Sequence, residues 1–244
     1  MSARATGLLL LALLAAGAAG LALAAPVRDD PDYHAFADRR TWLGVPHAWN
    51  VLSNLPFLPI GAAGIAWAAR RRRTWTGPPE ARRAYLACFA GVFLTGLGSA
   101  WYHLAPDDAR LVWDRLPMTV LFLAFFDAVL AERLSPRLAG AILFPLLAFG
   151  GASLAWWRAR GDLSLYALAQ YYPALALPLL LWLRPGRGDA ALWSAAGAYA
   201  LSKACEALDR AIFSLGGVVG GHALKHLFAA LAAACLLRAA RSGR

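Results

Sequence analysis

Long apolar stretches separated by short polar ones run along almost the whole chain. The first covers residues 5–25, just after Arg4. Residues 26–48 then form a polar segment with no long apolar run. Seven further stretches follow at 49–69, 84–103, 113–132, 138–157, 163–183, 190–209 and 221–238. Each approaches the ~20 residues a helix needs to cross about 30 Å of hydrocarbon. The runs are continuous rather than alternating, which excludes a membrane β-barrel. The pattern predicts an all-α polytopic membrane protein, a seven-transmembrane helix bundle preceded by an N-terminal signal peptide or an extra helix. A basic start, an apolar middle and Ala22-Leu23-Ala24 before Ala25-Pro26 describe a signal peptide; the length also suits an uncleaved helix. The expected plan is therefore 1–25 as leader or helix, 26–48 as an outer-side polar segment, 49–239 as the membrane domain and 240–244 as a cytoplasmic tail.

Composition agrees. Hydrophobic residues make up 60% of the 244, mean hydropathy is +0.51, and only 16% of residues are charged, against roughly 25% in soluble domains. The net charge of +10 would suit nucleic acid, but the arginines sit mainly in short loops, which is a topology signal. Placing Arg70 to Arg73, Arg82 and Arg83 in the cytoplasm puts Arg4, Arg133, Arg137, Arg184, Arg187, Arg238, Arg241 and Arg244 on the same side. That makes fourteen positive charges there, against nine on the other face, with Lys203 inside a span. The expected location is the inner (plasma) membrane of a bacterium, with the C-terminus cytoplasmic. Cys88, Cys205 and Cys235 lie inside apolar stretches without metal or redox spacing and read as small core residues.

This threading brings distant residues to one depth. His103 ends an outward-running span, Asp114 begins the next inward one, and His222 and His226 begin the last. All four fall near the outer leaflet. Ser99 and His103 are four apart, as are His222 and His226, so each pair shares a helix face. Three imidazoles plus an open position make the ligand set of a catalytic zinc site, and zinc lowers the pKa of a bound water to about 7. Asp114 has the chemistry to take that water's proton and return it to a leaving group. Ser99 has the chemistry to donate to a developing oxyanion. A single interfacial histidine is more often a polar anchor. Three in one layer, with Asp and Ser, favour metal-assisted hydrolysis of an acyl bond. His34 and His47 lie in the polar segment with no partner at helical spacing.

Several segments resemble those of the alkaline ceramidases. They are Leu97-Gly98-Ser99-Ala100-Trp101-Tyr102-His103, Trp113-Asp114-Arg115-Leu116-Pro117-Met118, Trp49-Asn50-Val51-Leu52-Ser53-Asn54 and Gly221-His222-Ala223-Leu224-Lys225-His226. The Ser-to-His and His-to-Asp intervals also match, and the resemblance runs from about residue 46 to 238. The wider superfamily includes adiponectin-receptor-like and Per1-like proteins. The resemblance implies that His103, His222 and His226 ligate Zn2+, that Asp114 acts on the zinc-bound water, and that Ser99 supports the site. The implied function is zinc-dependent hydrolysis of the N-acyl bond of ceramide or a related N-acyl membrane lipid by zinc-bound hydroxide. The alternative is a zinc-stabilised seven-helix receptor or scaffold without significant turnover. A transporter ranks last, because no internal repeat or paired broken helices are evident.

One departure concerns calcium. The eukaryotic family members bind it through an acidic cluster before the Trp-Asn motif; here the nearest matching position is His47, and Asp38 is flanked by Arg39 and Arg40. No family-like calcium site is expected, and Asp29, Asp30 and Asp32 read as a solvated linker. Lys203 and Glu206 are expected to pair, and Asp209 to orient a ligating imidazole. Asn50, Ser53 and Asn54 are expected to bond between helices. Trp101, Tyr102, Trp113, Trp156 and Trp157 read as an outer aromatic belt. No nucleic-acid partner is expected; the partners are the bilayer and a lipid substrate.

Overall fold

Local chemistry sets the helix boundaries in the computed structural model, which describes residues 1–242. Arg244, counted above with the cytoplasmic charges, lies outside them. Helix α1 (Ala3–Leu23) starts at Ser2, whose hydroxyl accepts from the Ala5 amide. Then come α2 (Ala48–Leu52), α3 (Phe57–Arg70) with a 3-10 turn at Arg71–Arg73, α4 (Pro79–Leu104) and α5 (Asp108–Arg133). Asp107 caps α5, and Ser135, followed by Pro136, caps α6 (Pro136–Arg160). The chain continues through α7 (Ser164–Leu183), α8 (Asp189–Ala207), the short α9 (Asp209–Gly216) and α10 (Gly221–Ser242). Among the described residues no strand forms beyond one bridge between Trp42 and Val45.

Among the described residues, six segments are long and apolar enough to cross a membrane: α1, Ala48–Arg73 taken together, α4, α6, α7 and α10. That marks a multi-pass membrane protein. Helices α5 and α8 fall outside this set because their sequences carry charge. Asp114, Arg115 and Asp127 of α5 are nonetheless buried. Helix α5 packs against α4, α6 and α7, while α8 packs chiefly on α10. The buried charges of α5 face protein, where composition alone cannot see them.

The stretch expected as one helix over 49–69 is broken. Pro56 has no amide to donate to the preceding turn, so α2 stops at Leu52 and α3 restarts at Phe57. The break turns Ser53 and Asn54, both buried, toward α10. Helices α4 and α5 approach most closely at Gly98, where an added Cβ would stand 2.0 Å from the Trp113 carbonyl oxygen. Pro117 cannot donate to that same carbonyl, the acceptor four residues back. This contact sets Ser99 beside the turn that carries Asp114.

The C-terminus of α4 and the N-termini of α5 and α10 meet at one end of the bundle, under residues 26–47. That segment is a strap rather than a free linker. Asp29 accepts from Arg115 (2.8 Å) and from the Trp157 indole. Arg115 also lies over the rings of Tyr33, Trp157 and Tyr166. The reading of Asp29 as solvated is corrected: a buried guanidinium captures it. Tyr102 and Trp157 are likewise buried in a small core with Phe36 and Leu111, whereas Trp101, Trp113 and Trp156 are exposed as expected.

Candidate metal centre

Three imidazoles form a near-equilateral group. The ring centroids of His103, His222 and His226 are 4.9 Å apart in all three pairs. One ligand nitrogen from each lies within 4.8 Å of the other two, and all three residues are buried. The helical spacing explains it. His103 ends α4, and His222 and His226 occupy one face of the first turns of α10. Gly221 is needed beside them, since a Cβ there would meet the Cys205 carbonyl oxygen at 2.2 Å.

The nitrogens are poised for a cation. Both ring nitrogens of His103 and Nε2 of His222 have no hydrogen-bond partner among the described residues. Buried polar atoms in folded proteins are nearly always partnered, so unpaired nitrogens turned toward one another fit a shared metal ion. His226 adds an oriented donor. Ser53 Oγ donates to the Asn50 carbonyl (3.2 Å) and lies 2.8 Å from His226 Nδ1. With Nδ1 engaged by Ser53, Nε2 is the His226 nitrogen left to face a shared ion, and a metal there requires the tautomer in which Nδ1–H donates to Ser53. Asn54 Nδ2 approaches the same nitrogen at 3.3 Å. The group can bind a metal ion.

Asp114 and Ser99 are adjacent to this group without joining it; the mutually close ligand atoms belong to the three histidines alone. Both line a cavity of about 140 Å3, together with Asn54, Thr95, Lys225 and His226. Beyond this polar end the walls are apolar, with Phe122, Phe125 and Val129 of α5, Leu177 and Leu181 of α7, and Ala229 to Leu236 of α10. From Asp114 to Val129 the lining follows about 22 Å of helix at 1.5 Å per residue.

Phe36 covers the other side. Its ring centroid lies 4.8 Å from that of His103 and 4.4 Å from that of His222, and it is 4% exposed. Sequence reasoning missed this residue, because a lone phenylalanine in a polar stretch carries no periodic signal. The strap is tied down beside it. Asp209 Oδ2 accepts from the Ala37 amide and Oδ1 from the His222 amide, at 2.9 and 2.8 Å. Asp209 was expected to orient an imidazole; it instead holds the backbone at the start of α10, where free amides favour a carboxylate. Asp38 is clasped by Arg40, whose guanidinium also donates to the Gly217 and Val218 carbonyls. The Arg40 hydrogen bond holds the Asp38 carboxyl below its usual range.

Several other polar residues find partners, whereas the side chains of Asn50, expected to bond between helices, and of Asp127 make no hydrogen bond among the described residues. His34, without a partner in sequence, bridges the Tyr102 hydroxyl (2.8 Å) and Asp108 (3.1 Å). Lys203 and Glu206 pair as expected, and Lys225 of α10 joins the same carboxylate at 2.6 Å. The three cysteines are free thiols, with Cys88 and Cys205 buried. No known family model matches the chain, and no curated protein matches it.

Proposed function

We propose that this protein is a zinc-dependent amidase of membrane lipids, cleaving the N-acyl bond of ceramide or a related N-acyl lipid. The observation that carries the reading is the triad of buried imidazoles, with unpaired nitrogens, one of which, His226, lines the polar end of a long apolar cavity. A soluble substrate would have no use for such walls; an acyl chain would. In this reading α5 and α8 complete a seven-helix bundle after α1. The arginine-rich ends lie in the cytoplasm, and the histidine layer lies toward the outer leaflet of a bacterial plasma membrane. The resemblance of residues 97–118 and 221–226 to alkaline ceramidases supports the same assignment.

His103, His222 and His226 would hold the ion, since three imidazoles with an open position suit zinc. When bound, zinc supplies Lewis acidity and a water acidic enough to ionise near neutral pH. The chain's own groups do the rest. Asp114, at the head of the cavity, takes a proton from the attacking water and returns it to the departing amine nitrogen. Ser99, one turn before His103, donates a hydrogen bond to the carbonyl oxygen as it gains charge. The cavity walls fix the acyl chain, and Phe36 keeps bulk water from the imidazoles.

The test uses purified wild type and Asp114→Asn. Elemental analysis measures zinc, and release of fatty acid from a panel of N-acyl lipids measures turnover. The proposal expects near-stoichiometric zinc in both and hydrolysis in wild type only, with a loss of at least 100-fold in the variant. Zinc in a wild type that cleaves none of the panel would instead support a receptor or scaffold in which the ion merely pins helices.

A further inference from the structure

Two formal charges face the cavity besides the imidazoles, Asp114 and Lys225. The amidase reading uses only the first. Lys225 lies between the two histidines of α10, and its neighbours along the cavity wall, Ala229, Ala232 and Leu236, follow at three- and four-residue steps. Lys225 therefore borders the same space as Asp114 and His226. The side chain is 13% exposed.

Around Lys225 two ammonium groups, Lys203 and Lys225, stand with two carboxylates, Glu206 and Asp114, and of these only Glu206 is in direct contact with either ammonium. Glu206 is the hydrogen-bond partner of Lys225 at 2.6 Å, but the same carboxylate also receives Lys203 from its own helix. One carboxylate thus serves two ammonium groups. An ammonium has three donors, and only one contact with an acid is made by Lys225. The other polar groups at this end already have uses. Asn54 bonds the Asn50 carbonyl and Thr95 the Gly91 carbonyl; Tyr199 receives Gln170. A charged group inside a helix bundle is costly and normally pairs or marks a ligand path. The donors that Lys225 does not give to Glu206 lie at the end of the cavity where the amine portion of a cleavable lipid would lie.

We propose that Lys225 selects lipids whose amine portion carries an anionic group, either a carboxylate, as in an N-acyl amino acid, or a phosphate. An ammonium acts as a point charge and accepts both geometries. The inference rests on the amidase reading for the placement of the amide beside the imidazoles, and it adds the class of head group. Lys203 supports the site by sharing Glu206, so that Lys225 is held with donors to spare.

Binding separates the charge effect from catalysis. The full-length protein, stripped of metal with a chelator and kept in a zwitterionic detergent, is titrated with N-palmitoylglycine, O-phospho-N-palmitoylethanolamine and neutral N-palmitoylethanolamine. Each competes with a fluorescent palmitoyl probe. All three share the acyl chain and the amide. At least one anionic lipid is expected to bind about tenfold more tightly than the neutral one, and the arm that does so identifies carboxylate or phosphate. Lys225→Met should level the three while leaving neutral binding unchanged, because Glu206 keeps Lys203; Lys225→Arg should keep the preference. Equal binding in the parent, or a preference that survives Lys225→Met, overturns the proposal. Should the Met variant not fold, Lys225→Gln gives the same comparison. The two readings fail separately: neutral N-acyl lipids cleaved by wild type, with no charge preference, leave the amidase and remove the anion site. A charge preference in a wild type that cleaves no N-acyl lipid does the reverse.

Discussion

His226 presents Nε2 because its other nitrogen is held by Ser53, in the turn between α2 and α3, 173 positions away in sequence. Removing that hydroxyl frees the ring to rotate and to change tautomer. Ser53→Ala is expected to weaken zinc binding about 10- to 100-fold, measured by competition with a chromogenic chelator; unchanged affinity would show that Ser53 does not orient the ring. The Asp38–Arg40 clasp gives a second test. Since Asp38 titrates below its usual 3.8 when folded, its contribution to stability is complete above pH 3.8 and is lost as pH falls through the lower folded value. Melts between pH 3 and 6 should show wild type and Asp38→Asn converging at the acid end. At this scale the ligand set was legible, because i to i+4 spacing is a one-dimensional signal. The interhelical bond of Ser53 was legible too, though not its histidine partner; Phe36 was not, because it reaches the site through a strap whose path no periodicity records.

Helices α4 and α5 hold Ser99, His103 and Asp114 in register through the contact of Gly98 with Trp113. Gly98→Ala would drive a methyl into that carbonyl at 2.0 Å, and the helices would have to part. Overpacking of this kind costs about 1–3 kcal/mol, to be read as a lower melting temperature with reduced zinc occupancy. Gly151→Ala in α6, with nothing within 4 Å of the added atom, is the control and should be neutral or stabilising. The apolar runs identified most helices, since length and hydropathy are properties of a segment. They concealed the break at Pro56 and the separate α9. They also joined α5 and α8 to the spans, although the charges of both helices keep them outside the set that composition supports.

Across the whole molecule the account is one of convergence: three helix termini, a strap and a cavity meet at a single layer. A metal ion bound there would link α4 to α10, which otherwise meet mainly through α3 and the strap. Chelation should therefore lower the melting temperature, with an effect that grows with free zinc as RT ln(1 + [Zn]/Kd). The same treatment of His222→Ala should produce little change. The central claim is that the three imidazoles share one ion, and X-ray absorption at the zinc edge of the purified protein tests it most directly. The account predicts a first shell with three imidazole nitrogens at about 2.0–2.1 Å, falling to two in His103→Ala. A shell without histidine scattering, or one that His103→Ala leaves intact, would contradict it.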